Sequence, residues 1–206
     1  ACLILFGWSV VYFVAGAHIL ILIGVAAATI GLGSFAYNYS EHFARRIDGF
    51  LSPDLDPRTQ LGYATNAIQE GGFFGVGVGE GQVKWSLPDA HTDFIIAVAA
   101  EEYGFVLVGL ILTIYAAIVC SSLARLLRER DIFVRLAGTG LVCMFGIQAV
   151  INIGVAARLL PAKGMTLPFV SYGGSSLIAG GIAIGILLAL TRSRPQKNVA
   201  DIFIKE

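Results

Sequence analysis

The sequence predicts an all-α fold: a polytopic transmembrane helix bundle of about six spans, one domain over residues 1–206. Three observations predict it. Hydrophobic residues make up 56% of the chain and charged residues only 14%, with a mean hydropathy of +0.78. A soluble domain carries about 25% charged residues, so polar surface is too scarce here to coat a globule in water. Four apolar stretches, roughly 18–38, 94–122, 133–156 and 172–191, reach the length of about 20 residues that a membrane helix needs. The basic residues are also segregated by loop, as membrane proteins require.

Taken in order, residues 1–16 read as the end of a further span. The chain opens at Ala1 inside an apolar run with no basic region before it, which reads as a truncated start rather than a signal peptide. Residues 59–80 are ambiguous, because they hold Gln60, Asn66, Gln69 and Glu70 and then the glycine run GGFFGVGVGEG. Loop charge resolves them. If this segment crosses, Arg45, Arg46 and Arg58 share a side with the clusters at 125–135 and 192–205. That side then holds 11 of the 14 basic residues, leaving Lys84, Arg158 and Lys163 opposite. The segment is therefore expected to be a broken polar span buried among other helices. Loops 39–58 and 123–132 and the tail 192–206 become cytoplasmic, and loops 81–93 and 157–171 face outward.

A net charge of zero argues against nucleic acid as a partner. Cys2, Cys120 and Cys143 lie in or beside apolar runs without paired spacing, and read as small buried hydrophobes rather than a disulfide or metal set.

The chemistry-bearing residues gather in the two outward loops. In the first, Asp89, His91 and Asp93 fall within five residues, directly before a long apolar helix. Thr92 or Asp93 is suited to cap that helix from Phe94 onward. A carboxylate at the membrane boundary is also suited to be a general base or to hold a cation. The two roles conflict, because capping lowers a carboxyl pKa. Glu101 and Glu102 follow inside the span on opposite helix faces, so both are not expected to point into one cavity. Gln148 and Asn152 share one face of the next span, suited to interhelical hydrogen bonds or to lining a polar cavity. In the second loop Arg158 and Lys163 precede Gly173, Gly174, Ser175 and Ser176, which open the last span. Backbone N–H groups at a helix start beside two cations suit a phosphate.

Four strings then carry a resemblance: RRIDGFLSPDLDP, GYATNAIQEGGFFGVGVGEGQ, LPDAHTDFIIAVAAEEYGFV and QAVINIGVAARLLPAKGMTLPFVSYGGSS. Their order and spacing over residues 41–191 resemble the SEDS (shape, elongation, division and sporulation) family. LPxxHTDF and KGMTLPFVSYGGSS resemble its FtsW-type peptidoglycan glycosyltransferases, in their alphaproteobacterial form, more than RodA. The resemblance implies the C-terminal part of a ten-span fold that polymerises lipid II into glycan at the division septum of the bacterial inner membrane. It implies Asp93 as the catalytic residue, with Arg158, Lys163 and the SYGGSS residues Ser171, Gly173, Gly174, Ser175 and Ser176 around the substrate; from the residues themselves, Lys84, His91 and Thr92 are further expected to contact substrate, and Glu101, Gln148 and Asn152 to line the cavity. About four further spans, with a functional tryptophan in their periplasmic loop, are expected before Ala1. A class B penicillin-binding protein (FtsI-like) and other divisome membrane proteins are the implied partners. No cofactor is demanded, although a divalent cation, Mg or Mn, on the pyrophosphate is compatible with the chemistry. A lipid II flippase and a non-catalytic divisome scaffold are the alternatives.

Overall fold

The computed structural model describes residues 2–51, 59–161 and 164–192. Every regular element among them is a helix. The order is α1 (Cys2–Val14), α2 (Ile19–Tyr39), α3 (Glu41–Leu51), α4 (Gln60–Gly71), α5 (Val83–Ser86), α6 (Ile95–Leu126), α7 (Ile132–Ala156) and α8 (Gly174–Thr191). Of these, α2, α6, α7 and α8 are long and apolar enough to cross a membrane. The protein is an all-α multi-pass membrane bundle.

Helix α7 is the hub. It packs against α1, α6 and α8, while α4 lies along α6. The contacts rest on small side chains, the usual route to close approach where lipid removes the hydrophobic drive between helices. Ala64 and Ala67 of α4 and Ala97 and Ala100 of α6 are buried, as are Ala149 and Ala156 of α7. Tyr115 and Phe145 stack with centroids 5.2 Å apart and fill the α6–α7 seam. No residue of α2 is buried. Its C-terminal end meets the amphipathic α3, where the Tyr37 hydroxyl donates to Asp48.

The ambiguous segment resolves into two parts. Residues 60–71 are helical and 72–80 are not. The glycine run threads past a break inside α6, where Gly104 has φ 72° and ψ −172°, a region essentially open to glycine alone. The break releases backbone groups that a straight helix would consume. Phe105 and Val106 N–H donate to the carbonyls of Gly72 and Phe73, at 3.0 and 3.3 Å. Val76 and Gly77 N–H donate to the carbonyls of Glu101 and Glu102, at 2.9 and 3.2 Å. A Cβ on Gly104 would sit 2.3 Å from the Phe73 carbonyl oxygen. Polar backbone buried in a bundle must be paired, and here two irregular segments pair each other. Beyond Gly104, α6 keeps 22 residues, a length of ~33 Å that matches one hydrocarbon thickness.

Candidate functional site

The site is built where the two polar loops meet above α6 and α7. The expected cap does not form. Helix α6 starts at Ile95 with Phe94 in the cap position and no side-chain cap bond, and the N–H groups of Ala97 and Val98 go to the Phe94 carbonyl. The reason lies upstream. Asp89 adopts φ 57°, and its carbonyl collects the N–H groups of Thr92, Asp93 and Phe94 and the Thr92 hydroxyl. This turn positions Thr92 and Asp93 before the helix through their main chain, so neither is used as a cap.

Asp93 is pinned from two directions. Asn152, buried on α7, donates its amide to the Asp93 carbonyl at 3.0 Å and to the Met165 carbonyl at 2.6 Å. Two acceptor oxygens require the NH₂ end of the amide there, and this leaves the buried Asn152 Oδ1 without a hydrogen-bond partner. Gly164 closes over the carboxylate, since a Cβ there would lie 3.0 Å from Asp93 Oδ2. The HTDF string and the KGMTLP string, 71 positions apart from Asp93 to Gly164, thus meet at one carboxyl group. Partial burial holds the Asp93 carboxyl above the ordinary 3.8, with the charge of Asp89 adding to the rise.

The second loop is tied in by further bonds. Tyr172 N–H donates to the His91 carbonyl at 2.9 Å, and the two rings meet edge to face. Ser171 Oγ accepts from Leu167 N–H at 2.8 Å and closes the 167–171 turn. The Thr166 hydroxyl donates to Ser176 on the first turn of α8 at 2.7 Å. Gly173 occupies the α8 cap position in extended backbone, with Gly174 and the exposed Ser175 following. Arg158 ends α7 at φ 58°, a left-handed conformation that helix ends usually give to glycine. Asp89, Arg158 and Phe169 (φ 64°) are the non-glycine residues with positive φ among those described, and all lie in these loops. Such strain concentrates at functional sites.

The structure gives several of the expected residues partners of their own. Lys84 pairs its ammonium with Glu102 and lies 5.5 Å from the Trp85 ring centre. Glu101 is fully buried. Both glutamates, about 100° apart around the helix, reach the Val83–Lys84 turn, Glu101 through backbone N–H groups and Glu102 through the Lys84 side chain. A cavity of about 470 Å³ does open between α4 and residues 80–86, with Tyr63, Asn66, Glu70, Glu80, Gln82 and Ser86 in its walls. None of Asp93, Glu101, Gln148 or Asn152 lines it. Gln148 sits half-buried one turn before Asn152. Lys163 lies outside the described residues. Among the described residues no group of three or more His, Cys, Asp or Glu side chains is placed to hold a metal.

Sequence reasoning missed Tyr115, whose buried hydroxyl donates from α6 to the Pro168 carbonyl of the second loop. The available signal was a phenol in an apolar span, which needs a partner for its hydroxyl.

Comparison with known proteins is consistent with this architecture. The FtsW/RodA/SpoVE family, described as cell cycle proteins, matches residues 1–196. A relative from Caulobacter vibrioides, named probable peptidoglycan glycosyltransferase FtsW, is 43% identical over 194 residues, covering 94% of this chain and 50% of the relative. The chain thus spans about half the length of the curated relatives it matches. Among solved structures, one chain of a peptidoglycan synthase complex that coordinates polymerization and crosslinking superposes with a TM-score of 0.76 at 34% identity, over 95% of this chain and 56% of that one. A mutant of the rod shape determining protein RodA from Thermus thermophilus superposes with a TM-score of 0.60 at 31% identity, over 94% of this chain and 49% of that one.

Proposed function

Because this chain belongs to the FtsW/RodA/SpoVE family of cell cycle proteins, we propose that it supplies the catalytic half of a peptidoglycan glycosyltransferase that polymerises lipid II at the division septum. Asp93 is the general base. It takes the proton from the attacking sugar hydroxyl as the glycosidic bond forms and the lipid pyrophosphate leaves. Arg158 and Lys163 stabilise the departing pyrophosphate, whose negative charge develops at headgroup level. His91, Thr92, Ser171 and the Gly173–Ser176 turn border the substrate. The cognate partner is a class B penicillin-binding protein, and the bilayer is the bacterial inner membrane.

One observation carries this reading: Asp93 is set between two loops by bonds to its main chain, with its carboxyl held above the usual range. A base works best with a pKa closer to the operating pH, and an aspartate used as a helix cap would move the other way. The broken backbone at Gly104 is the feature that favours a transporter, since discontinuous helices mark transporter sites. Its freed groups, however, are consumed by residues 72–77.

The test uses the full-length polypeptide with lipid II and its penicillin-binding protein. Asp93→Asn should lower glycan synthesis by about 10²–10⁴-fold while the protein still inserts and folds. Normal glycan from Asp93→Asn would remove Asp93 as the base, whereas a wild-type protein that makes no glycan would leave the flippase and scaffold readings, which lipid II movement across vesicles then separates.

A further inference from the structure

The mechanism above leaves one fully buried carboxylate unused. Glu101 is 0% exposed. Its Oε1 accepts the Val83 N–H at 2.8 Å and its Oε2 the Lys84 N–H at 3.1 Å. The approach is close enough that a Cβ on Gly81 would lie 2.7 Å from the Glu101 carboxyl carbon. Burying a carboxyl group is costly unless its oxygens are hydrogen-bonded, and here both are. This contact joins the chain just before the Asp93 loop to the helix just after it, closing residues 84–101 into a ring with Asp93 inside.

We infer that Glu101 is a positioning residue for Asp93: its two carboxylate oxygens latch the near end of the 83–93 loop onto α6 and thereby set where the base stands. The inference rests on the assignment of Asp93 as the base. The far end of the loop is held independently, by Asn152 on the Asp93 carbonyl and by Tyr172 on the His91 carbonyl. Between the two ends Leu87 is wedged among Ala64, Ala67 and Val155. With both ends fixed and a buried anchor between them, the loop has one arrangement. Releasing the Glu101 end frees it to drift, and a displacement of about 1 Å at a reacting group costs about 10²-fold in rate. Both oxygens are required. Glutamine offers one acceptor and turns an NH₂ group against the second backbone N–H, which leaves a donor facing a donor.

The experiment compares Glu101→Gln, Gly81→Ala, the double variant and Asp93→Asn in the full-length protein. It measures kcat and KM for lipid II polymerisation, together with amide exchange in peptides spanning residues 82–87. Glu101→Gln should lower kcat by about 10²-fold with KM within about twofold, and the Val83 and Lys84 amides should lose protection while α7 keeps its own. Gly81→Ala pushes the carboxylate away from the opposite side and should give the same signature. The double variant should be no worse than the worse single one, because both break one contact. If Glu101→Gln fails to insert, Gly81→Ala decides on the same two readouts. Wild-type kcat in the latch variants overturns the inference, as does a rate loss with the 83–84 amides still protected or a rise in KM at constant kcat. An inactive Asp93→Asn beside an active Glu101→Gln refutes the latch alone. An active Asp93→Asn refutes the base and the latch together.

Discussion

Asn152 is the residue whose replacement weighs holding the site against holding the fold. Its amide spans the Asp93 and Met165 carbonyls at 3.0 and 2.6 Å, while its Oδ1 is buried and unpaired. Each hydrogen bond contributes about 0.5–1.5 kcal/mol, and interhelical bonds in membranes average about 0.6 kcal/mol, so the pair is worth about 1–3 kcal/mol. An unpaired buried acceptor costs a similar amount. Asn152→Leu, of nearly the same size, removes the unpaired Oδ1 but also takes the donor away from the Asp93 and Met165 carbonyls. Its stability should fall by about 1–3 kcal/mol, with each kcal/mol lowering Tm by about 2–4 °C for a chain of this length. Polymerisation should also fall by about 10²-fold, because the Asp93 loop loses its far anchor. Asn152→Asp is different: it turns a charge toward two carbonyl oxygens and should cost about 3–5 kcal/mol. Thermal unfolding in detergent and gel-resolved glycan synthesis measure both variants. Wild-type turnover in Asn152→Leu would refute the anchor, and an Asn152→Asp protein as stable as wild type would refute the orientation of the amide.

Two further outcomes follow from the same geometry. Gly104→Ala should cost about 3–5 kcal/mol, because it combines forbidden backbone with a clash against the Phe73 carbonyl that threatens four cross-segment hydrogen bonds; gel filtration should show little monodisperse protein, and a wild-type yield and Tm would contradict the interleaved backbone. The raised Asp93 carboxyl sets two pH signs. Activity needs the ionised base, so the acid limb of kcat lies above the ordinary aspartate value and moves to lower pH in Asp89→Asn. Because the folded pKa exceeds the unfolded one, ionisation of Asp93 opposes folding: the stabilisation is full below the unfolded pKa and is lost as pH rises through the folded one. Asp93→Asn should therefore match or exceed wild type in Tm at pH 7 while losing activity, whereas a drop in Tm would show that the carboxylate holds the fold.

The helices were legible because their signal is long and local. The spans expected at 18–38, 94–122, 133–156 and 172–191 appear as 19–39, 95–126, 132–156 and 174–191. The glycine run was legible only as a break, because its partner is another break some 30 positions on, and two irregular segments pairing by backbone leave no side-chain pattern. The capping expectation at Thr92 and Asp93 failed for a related reason. Sequence shows an oxygen-bearing side chain before a helix, but not that Asp89 turns to φ 57° and occupies the neighbouring N–H groups with its carbonyl. Counting charge by loop placed Lys84 among three outward cations but could not show its pairing with Glu102, 18 residues away.

The pattern of bonds around Asp93 also has a chemical sense. Its N–H goes to Asp89, its carbonyl receives Asn152, and the neighbouring His91 carbonyl receives Tyr172. A residue located through its main chain does not need its side-chain oxygens to stay in place. The Asp93 carboxyl is then shaped by burial and by a like charge, both of which raise its pKa. Fixing it instead through a cation or through helix N–H groups would have lowered the pKa and weakened the base. The charged contacts of this region stand apart, at Glu101, Glu102 and Lys84, where they hold backbone and leave the basicity of Asp93 alone. Position and basicity are set by different groups, which is why the substitutions above should change one without the other.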